Sequence, residues 1–153
     1  TRADGTAALG NGVGIDVADG SVDARIGTDG NGVGDAAEGN LISGNLGAGV
    51  RIAGASSHDI LVAGNRIGSD VTGASALPNG NAGITVIDGA LDTVIGGSSP
   101  RANWISGNQG DGIRIGTSAT RTLVSANRIG MAVDDISPLA NQGAGVRIAD
   151  SND

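Results

Sequence analysis

Apolar and polar residues alternate along this chain in very short runs. After a glycine, the order apolar, polar, apolar recurs as GIDV (14–17), GVRI (49–52), GITV (83–86), GIRI (112–115) and GVRI (145–148). These glycines lie 35, 34, 29 and 33 residues apart. Alternation with a period of two predicts β-strands, each with one face for a core and one for solvent. A second apolar run follows each of the first four, as DARI (23–26), DILV (59–62), DTVI (92–95) and RTLV (121–124). A third opens with asparagine: NLIS (40–43), NRIG (65–68), NWIS (103–106) and NRIG (127–130). The unit is three short strands and a loop, then the first strand again.

Strands this short cannot hide an inner face alone, but stacked repeats can. The pattern predicts an all-β chain wound as a parallel β-solenoid, with three short strands per coil and about four and a half coils. Glycine density and the lack of any sustained 3.6-residue period exclude helices. Loop lengths alternate. Coils two and four carry long excursions after the third strand, GSDVTGASALPNGNAG (68–83) and GMAVDDISPLANQGAG (130–145), and residues 1–14 match the same excursion. Coils one and three carry their extra length between the second and third strands. This alternation explains why LISGNLGAGVRI (41–52) returns as WISGNQGDGIRI (104–115): the two segments stand two coils apart. Pro78, Pro100 and Pro138 all fall in these loops, where no ladder hydrogen bond is lost.

The repeat resembles the right-handed parallel β-helix family, seen in pectate lyases, polygalacturonases and many bacterial surface proteins. The likeness covers essentially the whole chain. In that family a stacked row of asparagines often fills the tight turn before the third strand. Asn40, Asn65, Asn103 and Asn127 hold that position here. Aligned side-chain amides can bond up and down the stack and satisfy turn groups that would otherwise be stranded, so the expectation for these four residues is a structural ladder. The resemblance also implies right-handed winding and an extracellular or cell-surface location. The chain reads as one solenoid segment, residues 1–153, cut from a longer array, with partners that are flanking coils or other copies of itself.

Composition narrows the rest. One Trp and no Phe or Tyr leave aliphatic side chains to do the burying, while 39% hydrophobic residues are too many for a disordered Gly-rich linker. Nine arginines, no lysine and sixteen acids give a net charge of −7, which argues against nucleic acid as a partner. No apolar run is long enough to predict membrane insertion. The absence of cysteine removes disulfides and thiolate metal sites.

Function on such a rod lies in its outward rows. The first-strand row reads Asp16, Arg51, Thr85, Arg114, Arg147; the second Arg25, Leu61, Val94, Leu123; the third Leu41, Arg66, Trp104, Arg128. Trp104 between two arginines predicts a cation-π sandwich, unless the excursions fold Leu9, Leu77 and Leu139 over that face. The same arginines, with Arg51, Arg114 and Arg147, are candidate contacts for a glycan or another partner. Leu61, Val94 and Leu123 form a candidate association stripe. Asp16 above Arg51 predicts a salt bridge. The outward rows hold no converging carboxylates, Asp134 and Asp135 are adjacent in a loop, and His58 is the only histidine, so no catalytic residue is assigned. No cofactor is assigned. Calcium is the one metal with any hint, since NGVGIDVA (11–18) resembles a single degenerate copy of the repeat-in-toxin nonapeptide and TDGNGVGD (28–35) spaces oxygen ligands plausibly. Neither segment repeats, and no metal site is assigned.

The expected function is structural: a rigid stalk, adhesin or fibre segment without catalysis of its own. The alternative is a module that binds or degrades an acidic polysaccharide through the Arg and Trp104 faces.

Overall fold

In the computed structural model, which describes residues 1–149, the chain winds into a stack of coils. The first coil holds β1 (Ile15–Val17), β2 (Arg25–Gly27), a helical turn α1 (Asp35–Glu38) and β3 (Leu41–Ile42). The second holds β4 (Val50–Ala53), β5 (Leu61–Ala63) and β6 (Arg66–Ile67). The third holds β7 (Ile84–Ile87), β8 (Val94–Gly96) and β9 (Trp104–Ile105). The fourth holds β10 (Ile113–Gly116), β11 (Leu123–Ser125) and β12 (Arg128–Ile129), and β13 (Val146–Ala149) opens the next. Strands of like position form three sheets, β1-β4-β7-β10-β13, β2-β5-β8-β11 and β3-β6-β9-β12, and every pairing between them is parallel. The fold is the parallel β-solenoid that the repeat predicts. α1 departs from the all-strand expectation: the insertion of coil one lies outside the ladders, and Asp35-Ala-Ala-Glu38 closes one turn there.

Alternation puts one residue of each pair inside. Val50, Ile52, Ile84, Val86 and Ile113 of the first sheet, Val62 and Ile95 of the second, and Ile67 and Ile105 of the third are all 0% exposed. Each such burial stabilises by about 1.5–3 kcal/mol, and registers such as Ile52↔Val86 stack like on like from coil to coil. The glycine before each first strand is fixed by close approach. A Cβ on Gly49 would lie 2.7 Å from the Gly83 carbonyl, and one on Gly83 would lie 2.8 Å from that of Gly112. A left-handed residue stands two positions before each second strand: Asp23 (φ 55°), Asp59 (58°), Asp92 (48°) and Arg121 (55°). Aspartate tolerates that region through local hydrogen bonding, which accounts for three of the four.

The two-coil period has a physical cause. In coils one and three a serine follows the third strand, and the Ser43 and Ser106 hydroxyls accept from the amides of Gly68 and Gly130 on the next coil at 3.0 and 3.1 Å. From those glycines the excursions leave. Each closes as a hairpin, with antiparallel bridges Ser69↔Ala76 and Met131↔Pro138. Residues 1–7 make the same turn, Arg2 N donating to Ala7 O at 2.8 Å, and the three turns stack through Val71 N to Gly5 O and Val133 N to Gly73 O at 3.1 and 3.3 Å.

Candidate functional site on the third-strand face

The asparagine ladder forms as expected. Asn40, Asn65 and Asn103 each donate a side-chain amide to the Oδ1 of the next coil's asparagine, at 2.9, 3.1 and 2.9 Å. The same amides of Asn65, Asn103 and Asn127 reach the carbonyls of Ile26, Val62 and Ile95 at 2.8, 2.9 and 2.8 Å. A second ladder, unforeseen in the sequence reading, runs through the turn before the first strand. Asn45, Asn79 and Asn108 donate in turn to Asn79, Asn108 and Asn141 at 2.8, 2.9 and 2.8 Å, and Asn11 joins through its backbone amide at 3.3 Å. Its signal was present: Asn45, Asn79, Asn108 and Asn141 each stand four residues before a strand-opening glycine.

On the first-strand face the outward row keeps its predicted register, and its charges close on each other. Arg51 bridges Asp16 at 3.0 Å and also Asp88 at 3.2 Å. Arg147 reaches Asp111 at 2.8 Å. Burial acts to raise the Asp111 carboxyl, but hydrogen bonds from Arg147 and the Ala144 amide outweigh it and hold the group below the ordinary aspartate range. Arg114 makes no ion pair or hydrogen bond among the described residues. On the second-strand face Leu61 and Val94 are half-buried, and only Leu123, 55% exposed, stands clear. Beside that row Arg121 grips Asp92 through Nε and Nη2 at 2.6 and 2.5 Å, and this bond lowers the Asp92 carboxyl.

The third-strand face differs. Trp104 pairs in register with Arg66 on one side and Arg128 on the other. Arg128 stacks over the indole, 4.8 Å from its centroid, while its Nε meets Asp135 at 2.5 Å. The expected sandwich is half-made, because Arg66 turns its Nη1 to the Val71 carbonyl of the neighbouring hairpin. The expected leucine cover also fails. Leu77 and Leu139 are drawn to the hairpin bases, where their amides donate to Gly68 and Gly130 at 2.9 Å, and Leu9 is 65% exposed. Val71 and Asp135 reach the third-strand arginines instead.

What remains is a groove of about 500 Å³. Arg66, Trp104 and Arg128 line it from the sheet; Asp35 and Ala36 of α1 and Pro100 line it from the insertions of coils one and three. Two donors there, Arg66 Nε and Trp104 Nε1, are buried without a hydrogen-bond partner. Native structures rarely leave such donors unmatched. Beside the groove, Asp29, Asp35 and Glu38 bring carboxylate oxygens within 4.8 Å of one another. Arg25 stands against this cluster, 3.0 Å from Asp29 and 3.7 Å from Glu38, and Asp35 accepts from the Thr28 hydroxyl and from Gly32 N. Of the two calcium-like segments, 28–35 thus supplies two of these three acids, while Asp16 of 11–18 is held by Arg51. His58 pairs with Asp59 at 2.7 Å, and Asp134 and Asp135 part, one to Ser137 and one to Arg128.

The chain matches no protein-family model, no curated protein and no solved structure.

Proposed function

We propose that this chain is a structural solenoid segment, a rigid spacer of the stalk, adhesin or fibre kind, exposed outside the cell or on its surface and without catalysis of its own. The observation that carries the reading is where the polar side chains go. Both asparagine ladders are spent on coil-to-coil bonds, and of the nine arginines Arg25, Arg51, Arg66, Arg101, Arg121, Arg128 and Arg147 hold acids or carbonyls of the same chain. A surface whose charges bind each other serves rigidity. Its partners on this reading are flanking coils or further copies, with Leu123 the exposed end of the association stripe.

The test is solution scattering with electron microscopy on the isolated chain. A spacer segment gives a rigid particle whose dimensions do not change with salt or added glycan. A flexible or collapsed particle would count against it.

The third-strand groove favours a second reading, a carbohydrate-binding module. It holds the single Trp and two of the four buried side-chain groups that lack a hydrogen-bond partner among the described residues, and Trp104→Ala removes glycan binding on this reading while leaving the fold intact.

A further inference from the structure

We propose that the third-strand groove takes a neutral saccharide, not an acidic one. The inference rests on the second reading above and names the ligand class. It begins from charge. Arg66 and Arg128 bring two positive charges to the groove; Asp35 lines the same groove, and Asp135 is paired with Arg128, so these four groups cancel. Behind Asp35 lie Asp29 and Glu38, with Arg25 between them. A sugar carboxylate entering here would shed its hydration beside the Asp35 carboxylate and find Arg128 already paired, with Arg66 alone to answer it, a poor exchange for a charged group. The net charge of −7 acts in the same direction at longer range and repels a polyanion before contact.

The hydrogen-bonding groups agree. Arg66 Nε and Trp104 Nε1 are donors in want of an acceptor, whereas the Asp35 carboxylate only accepts. A hydroxyl does both, so a polyhydroxylated ring can satisfy floor and wall together; a carboxylate satisfies only the donors. Arg66 and Trp104 are partly exposed and line the groove, while their two donor atoms are themselves covered. Trp104, Ala36 and Pro100 add the apolar surface on which the C–H face of a pyranose rests. A volume of about 500 Å³ lies in the range of small-molecule sites and suits a short stretch of a chain more than a long polymer.

Because the protein has one Trp and no Tyr, intrinsic fluorescence reports on this groove alone. The experiment titrates the whole chain with hexasaccharides of neutral glucan, mannan, xylan and chitin, and with oligogalacturonate and heparin fragments, each with calcium and with chelator. The expected result is a saturable change with at least one neutral sugar and none with the acidic ones. Ala36→Leu, at an exposed wall position, should weaken that binding about tenfold or more with an unchanged circular dichroism spectrum, whereas Arg114→Ala on the first-strand face should leave it unaltered. Saturable binding of an acidic sugar, with or without calcium, and of no neutral one would overturn the proposal while keeping the glycan reading. Neutral binding indifferent to Ala36→Leu would overturn it by placing the ligand elsewhere. No response to any sugar, confirmed by calorimetry, would remove both.

Discussion

The first-strand and third-strand faces are built from the same kinds of residue and end differently. On the first, Arg51 spans Asp16 and Asp88, and Arg147 answers Asp111, so the charges bind across coils. On the third, the arginines turn sideways to their hairpins, to Val71 and Asp135, and leave a walled groove with unmatched donors. The difference comes from the loops. The insertions of coils one and three and the excursions of coils two and four both border the third sheet, so side chains that would otherwise meet each other meet walls. Cross-coil pairing marks a face used for rigidity, and a walled face with open hydrogen-bonding capacity marks a site.

Breaking the coil stack itself should have the largest effect. Gly68 has a φ of 95°, and a Cβ there would fall on the Ser106 carbonyl and the Asn108 amide of the next coil. Gly68→Ala should therefore cost about 3 kcal/mol or more, read by urea unfolding, because backbone strain adds to a collision with backbone. The ladders come next. Asn65→Ala and Asn79→Ala should each destabilise by roughly 1–3 kcal/mol, since both side chains are 0% exposed and their partners lose bonds that no water replaces. The exposed Asn31→Ala should change little, and equal effects at all three positions would erase the distinction between ladder and loop.

Much of this was legible in the sequence. The strand register followed from alternation, and the Asn40 ladder from its place before each third strand. The second ladder was harder to see because its period spans the long excursions, so Asn79 and Asn141 read as loop residues. The groove was invisible for a related reason. Its floor lies in the four strands of the third sheet, but its character depends on Asp35, Ala36 and Pro100 from insertions with no repeat partner, and on which acceptor Arg66 finds. Periodicity fixes what recurs; it says nothing about a hairpin that takes up the arginine of its own coil.

The acid-base behaviour should sharpen the contrast between faces by a smaller amount. Burial acts to raise the Asp111 carboxyl, but Arg147 and the Ala144 amide hold it below the ordinary aspartate range, and Arg121 holds Asp92 below that range as well. A depressed carboxyl stabilises the fold above its unfolded pKa, and that contribution is lost as pH falls through the folded value. The melting temperature should thus hold steady near neutrality and decline as the pH drops below about 4. Asp111→Asn should flatten part of that decline. Last and smallest, Arg114→Ala should alter stability by no more than about 0.5 kcal/mol, as expected for an unpaired surface cation.

The central claim is that stacked asparagine side chains, two columns of them, tie each coil to the next. Side-chain amide exchange in heavy water measures this directly. The amide protons of Asn65, Asn79, Asn103 and Asn108 should persist long after those of Asn31 have exchanged; if all asparagine side chains lose their signals together, the ladders do not hold the solenoid.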